Sequence, residues 1–217
     1  MTSRPRKAEP RPRPRLYLIT PPVADAAAFA GELGAALEGA DVAAVLLRFA
    51  EGDERTQTNR IKTLAPAVQA RDAALLSDGH ARLAARAGAD GANLTGIRDL
   101  IDALETLKPD RIAGCAGLET RHDAMLAAES GADYVMFGEP SDAGRPAFPA
   151  VLERIGWWAE VFELPCVGYA ADADEAEALA RAGADFVAVD FIWNDPRGAA
   201  AAAAEVAARL AAAEPVS

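Results

Sequence analysis

Gly131-Ala132-Asp133-Tyr134-Val135-Met136-Phe137-Gly138 is one of four copies of a single phrase. The others are Gly39-Ala40-Asp41 before VAAVLLR, Gly88-Ala89-Asp90 before GANL, and Gly183-Ala184-Asp185 before FVAVD. In each, helix-like residues run into a glycine suited to the left-handed position just past a helix. A short run of small and β-branched apolar residues then suits a strand covered on both faces, as parallel strands are. The copies recur at intervals of roughly 43 to 52 residues, near the length of two βα units of a barrel whose eight units total about 250 residues.

Strand and helix signals alternate on both sides of these copies. Strands are predicted over 16–19, 42–48, 73–77, 90–94, 110–114, 133–138, 165–169 and 185–190, with alanine-rich helical stretches between and after them. Strands separated by helices imply right-handed βαβ crossovers and a parallel sheet, and eight such units close into a TIM (β/α)8 barrel, an α/β fold. The competing architecture is an open doubly wound sheet, disfavoured because no strand is followed by a G-x-G-x-x-G turn and the units are even in length. In a barrel the four Gly-Ala-Asp phrases face the end that carries stability. Their aspartates are therefore expected to start strands and solvate turns, while function lies in the loops after the strands.

A chain of 217 residues with 51 % hydrophobic but only 6 % aromatic residues fits one helix-rich domain with a core of small and aliphatic side chains. That domain is expected over 16–217. Residues 1–15, MTSRPRKAEPRPRPR, lack apolar periodicity and read as a disordered basic tail. The formal charge of −11 argues against nucleic acid as a partner. Cys115 and Cys166 lie in apolar runs and read as small core residues rather than a disulfide or zinc pair. No stretch approaches a membrane span of roughly 18 apolar residues, and no signal peptide is legible, so a cytoplasmic protein is expected.

The strand ends carry the candidate chemistry. Arg48 ends an otherwise apolar strand, where a charge must be paired or bind an anion; it either serves such a ligand, or reaches solvent or Glu51. Asp78, in Ser77-Asp78-Gly79, suits either an Mg²⁺ held through water and substrate phosphate or an ordinary turn. Asn93 is the one polar side chain of its run, directed into the mouth or paired with a neighbouring strand end, and Asp99 opens the next helix. The loop after the sixth strand, Gly138 to Pro146, is the longest and offers Glu139 and Arg145 as ligands. Tyr169 and Asp190 end the last two strands. Phe191 and Trp193 stand where a phosphate cradle wants bare backbone, so a phosphate site there has weak support. His80, His122 and the Trp157-Trp158 pair read as surface, capping or packing residues.

The order LYLIT, VAAVLLR, LLSDG, RAGADGANL, IAGCAG, ESGADYVMFGEP, LPCVGY and RAGADFVAVD resembles the thiamine phosphate synthase family, which also holds the thiazole tautomerases. The resemblance implies a TIM barrel, Mg²⁺, and the joining of hydroxymethylpyrimidine diphosphate to thiazole phosphate with loss of pyrophosphate. It implies catalytic roles for Arg48, Asp78 and Arg145 and metal contacts from Asp78 and Asp99, while Asn93, Glu139, Tyr169 and Asp190, offered by the strand ends, are the candidate substrate contacts. The match is weaker in the catalytic pattern than in the scaffold. Q-L-R-E-K becomes Leu46-Leu47-Arg48-Phe49-Ala50, and H-x-G-Q-x-D becomes Asn93 to Arg98. V-S-x-H becomes Cys115 to Leu118, and the phosphate-capping serine falls on Phe191.

Two functions are therefore carried forward. One is a thiamine phosphate synthase-like transferase with a degenerate site, rearranged around Arg48, Asp78, Asp99 and Arg145. The other is an inactive family member that binds a small molecule or a partner protein, and the loss of several clamp residues favours this one. The expected partner is a phosphate or pyrophosphate ligand, with neither nucleic acid nor membrane. A homodimer is compatible with the resemblance and with the Trp pair.

Overall fold

Strands and helices alternate strictly in the computed structural model, which describes residues 12–141 and 144–213. The order is β1 (Arg15–Ile19), α1 (Ala26–Gly39), β2 (Val42–Leu47), α2 (Glu54–Gln69), β3 (Ala74–Asp78), α3 (Ala81–Ala87), β4 (Gly91–Thr95), α4 (Ile97–Leu107), β5 (Ile112–Ala116) and α5 (Arg121–Ser130). It continues with β6 (Tyr134–Phe137), α6 (Phe148–Val161), β7 (Cys166–Ala170), α7 (Ala173–Arg181), β8 (Phe186–Val189), a 3-10 turn over Phe191–Asn194, and α8 (Ala199–Ala212). Every neighbouring pair is parallel, and β8 returns to β1 with Arg15 opposite Phe186, so the sheet is a closed barrel. The open doubly wound alternative is excluded. Of the tail expected over 1–15, residues 1–11 lie outside the described residues, and Arg15 already belongs to β1.

The side-chain period of two divides the core. Outward residues such as Leu75, Ala92, Val135 and Val187 pack beneath the helices with Leu33, Leu64, Leu100 and Leu179. Full burial of each such leucine contributes about 1.5–3 kcal/mol. Inward residues form a second cluster that includes Tyr17, Leu46, Leu76, Tyr134, Met136 and Tyr169. Within it the Tyr134 ring lies over its register partner on the neighbouring β5, where a Cβ on Gly114 would lie 2.0 Å from that ring. Glycine is required at 114 because the tyrosine occupies its side-chain space. Below the Tyr17 and Tyr134 rings, toward the N-terminal ends of the strands, lies an apolar cavity of about 220 Å³.

The Gly-Ala-Asp phrases explain how the even strands are seated. Asp90, Asp133 and Asp185 each donate a backbone N–H to the carbonyl of Leu75, Ala113 and Cys166. Each accepts the N–H of that same residue on a carboxylate oxygen, at 2.7, 2.7 and 2.8 Å. The carboxylate thus satisfies an amide at the start of the preceding odd strand. Asp41 differs: it accepts from the Arg15 guanidinium, at 2.8 Å from Nη2. The expected left-handed glycine is found at Gly88, Gly131 and Gly183 and not at Gly39. Gly39 is the last residue of α1, where a Cβ would stand 2.8 Å from the Ala200 carbonyl oxygen of α8. Close helix contact, not turn geometry, demands glycine there.

Strand boundaries shift by one or two residues from expectation, and one shift matters. β5 runs to Ala116, so Cys115 and Ala116 are strand residues rather than loop. Both cysteines are buried and neither is in a disulfide, and burial pushes the Cys115 thiol up to about 12. Trp158 is fully buried, stacks on Phe162 at 4.1 Å and donates to the Leu164 carbonyl at 2.8 Å. The Trp pair therefore anchors α6 to the barrel, with Trp157 half-buried beneath the Arg121 guanidinium.

Candidate active site at the barrel mouth

Period-two alternation builds the mouth. On β2 the inward series Ala44, Leu46 continues to residue 48, on β3 Ala74, Leu76 continues to 78, and on β8 Phe186, Ala188 continues to 190. The next inward register after these apolar layers is therefore Arg48, Asp78 and Asp190, joined by Asn93 from β4 and Tyr169 from β7. These five, with Glu139 after β6, line a cavity of about 130 Å³ at the C-terminal ends of the strands.

Arg48 is held from two directions. Its backbone N–H donates to Thr20 Oγ1 at 3.0 Å, and Thr20 is fully buried after β1. Its guanidinium lies 3.7 Å from Asp190, not at Glu51. Asp190 in turn accepts from the Tyr169 hydroxyl at 2.8 Å. Burial and the bond to Asp190 push the Tyr169 hydroxyl above its ordinary value. Asp78 lies nearby and its carboxyl is raised by burial, against the downward pull of Arg48 and His80. Arg48 thus faces two acidic side chains, Asp78 and Asp190.

Asn93 is buried and accepts a hydrogen bond from the Tyr134 hydroxyl at 2.9 Å. Tyr134 is met by the Tyr17 hydroxyl at 3.0 Å; since the Tyr134 proton serves Asn93, Tyr17 is the donor. A column of polar groups therefore rises through the barrel axis to the mouth. Burial raises both tyrosines, so they stay neutral. Glu139 accepts the Gly117 N–H on Oε1, whereas its Oε2 is buried without a hydrogen-bond partner. Burial raises this carboxyl, against the pull of the Gly117 and Glu139 amides and Arg154.

Two expected residues are placed elsewhere. Arg145 is bound by Glu175 through its two terminal guanidinium nitrogens, Nη1 to Oε1 at 3.0 Å, and reaches the Tyr169 carbonyl at 3.4 Å. It lies over the Tyr169 ring at 5.2 Å and outside the residues lining the mouth. Asp99, in the first turn of α4, lines a separate open groove of about 940 Å³ between α3 and α4, together with His80 and Asp102. Asp78 and Asp99 thus face different cavities. Part of the sixth loop, Asp142 and Ala143, lies outside the described residues. Phe191 packs against the outer core, and Trp193 donates to the Ile19 carbonyl at 2.6 Å while lying 5.0 Å from the Phe29 ring. Neither fills the mouth.

Sequence reading missed Thr20, Tyr17, Tyr134 and Glu175. Inward alternation marks both tyrosines, because Tyr134 shares its face with Met136. Asp172-x-x-Glu175 reads as a capping box. Asp172 does accept from the Glu175 N–H at 2.8 Å, but the Glu175 carboxylate serves Ala171 N and Arg145. No local pattern reveals that long-range partner.

Comparison with known proteins follows the same outline. Residues 16–190 match the family model described as thiamine monophosphate synthase. The thiamine-phosphate synthase of Rhodospirillum centenum is 43% identical over 197 residues, 88% of this chain and 95% of that protein. That of Hyphomonas neptunium is 41% identical over 207 residues, 90% of this chain and 93% of the other. Among solved structures, thiamine phosphate pyrophosphorylase from Pyrococcus furiosus superposes with a TM-score of 0.77 at 24% identity, covering 93% of this chain and 97% of that one. The 3-hexulose-6-phosphate synthase of Salmonella typhimurium gives a TM-score of 0.72 at 17% identity, over 92% and 100%. These two likenesses show the fold alone.

Proposed function

Because the chain belongs to the thiamine monophosphate synthase family, we propose that it acts in thiamine biosynthesis as a transferase, joining a pyrimidine diphosphate to a thiazole phosphate with release of pyrophosphate. The observation that carries this reading is the meeting of Arg48, Asp78 and Asn93 in one cavity at the ends of β2, β3 and β4. A cation and a carboxylate side by side suit a diphosphate together with its counter-ion. The Arg48 guanidinium would bind diphosphate oxygens, with Asp190 and Tyr169 fixing its orientation.

Asp78 offers hard oxygen donors, with Asn93 beside it on the next strand, its oxygen already met by the Tyr134 hydroxyl. Among the described residues no group of three His, Cys, Asp or Glu is placed to hold a metal. That donor set fits Mg²⁺, which takes one or two carboxylates and completes its shell with water and phosphate. When bound, such an ion neutralises charge that develops on a departing pyrophosphate. The clamp is smaller than the sequence suggests, since Arg145 is occupied by Glu175 and Asp99 faces the groove. That pairing favours a second reading, in which the mouth binds ligand without turnover.

Calorimetry with pyrophosphate and Mg²⁺, followed by turnover of the two substrates, separates these readings. Turnover that falls at least tenfold in both Arg48→Ala and Asp78→Ala supports transfer. Magnesium-dependent binding without turnover supports the second reading. No binding at millimolar pyrophosphate rejects the transferase.

A further inference from the structure

We propose that Glu139 is a specificity-determining residue of the mouth, donating a hydrogen bond from its carboxyl to the acceptor nitrogen of an uncharged heterocyclic ring seated on the β5–β6 side of the cavity. This deepens the proposed function and rests on it for the identity of the ring.

The mouth has two unlike halves. On the side of β2, β3 and β8 stand Arg48, Asp78 and Asp190; on the side of β5 and β6 stand Ala116, Met136, Pro140 and Glu139. An anionic end of a ligand is drawn to Arg48, so the uncharged part falls against the apolar half. The cavity volume, about 130 Å³, approaches the 150 Å³ or so of an apolar cavity that admits benzene, so it has room for a single ring.

Within that apolar half, Glu139 Oε2 is buried and has no hydrogen-bond partner. Leaving such a group unmet costs about 1–3 kcal/mol, which a ligand atom would remove. The Gly117 N–H fixes Oε1 as an acceptor, so a neutral carboxyl carries its proton on Oε2. Burial favours that neutral form. A carboxyl O–H in that wall is complementary to a ring nitrogen that carries a lone pair and no proton. A phosphate oxygen would instead meet Arg48 on the opposite side.

Around Glu139 the charged or titratable groups are Arg154 on α6, Cys115 on β5 and Tyr17 on β1, with Arg48, Asp78, Tyr169 and Asp190 across the mouth. The test measures calorimetric binding of hydroxymethylpyrimidine, which carries no phosphate, and separately of pyrophosphate with Mg²⁺. Glu139→Ala is expected to weaken the pyrimidine about tenfold and leave pyrophosphate unchanged. Arg48→Ala is expected to do the reverse. Glu139→Gln, which keeps an N–H donor, restores most of the pyrimidine affinity. Wild-type affinity falls as the pH rises through the Glu139 value; in Glu139→Gln, which retains Asp78, that dependence is lost.

Pyrimidine affinity insensitive to Glu139→Ala overturns the proposal even where pyrophosphate binds and turnover proceeds. So does a loss confined to magnesium and pyrophosphate, which would make Glu139 a metal ligand. Absence of pyrophosphate binding and turnover would instead count against the transferase reading alone.

Discussion

The Tyr134 hydroxyl spends its one proton on Asn93 and takes another from Tyr17, so its oxygen sets a side chain in the mouth while its ring lies over Gly114 on β5. Tyr134→Phe leaves Asn93 Oδ1 buried without a donor, and we expect a loss of about 1–3 kcal/mol in urea unfolding. Mouth-ligand affinity should fall with it, as the Asn93 amide loses its fixed orientation. Glu175 supplies a second residue-scale prediction. Burial alone would raise its carboxyl, but hydrogen bonds from Arg145 and Ala171 outweigh that and hold it below the usual range. The pairing therefore stabilises the fold fully above the ordinary glutamate value of about 4.3 and is lost as the pH falls through the depressed one. Glu175→Gln should flatten the acid limb of a stability–pH curve; an unchanged limb would show that the carboxylate does not act there.

Helices α1 and α8 touch at Gly39, where an added methyl would press on the Ala200 carbonyl at 2.8 Å. Gly39→Ala should destabilise by about 1–3 kcal/mol through forced separation of the two helices, read as a lowered thermal midpoint. Gly31→Ala, in the same helix with nothing within 4 Å of its Cβ position, should be neutral or slightly stabilising. Elements of this kind show what the sequence reveals and where it stops. Alternation of strand and helix signals is a local property, and it predicts β1 to β8 within two residues. The partner across a helix interface is not local, so Gly39 resembles the other three phrase glycines although its role differs. Likewise period two carries Arg48, Asp78 and Asp190 to the mouth, since each extends an apolar inward series. Arg145 follows no such series, being outside a strand, and its direction depends on Glu175, 30 residues further along.

Closure of β8 on β1 leaves the described barrel without a free strand edge, and each helix packs on a shared outer core. Such a molecule should unfold in one transition. Tryptophan fluorescence, which samples α6 through Trp157 and Trp158 and the β8–α1 junction through Trp193, should share its urea midpoint with far-ultraviolet circular dichroism. Separate midpoints would reveal a subdomain that melts alone. Eight parallel strands are legible in the sequence because each is a short apolar run, but ligand identity is not, because it rests on which loops meet in space. The aspartates at 90, 133 and 185 hold the starts of β3, β5 and β7 from the end opposite the mouth, and none of them lines it. Registration of the strands and recognition of a ligand are thereby inherited separately: loops at one end are free to be exchanged over generations, or by an engineer, while the other end keeps the chain in register.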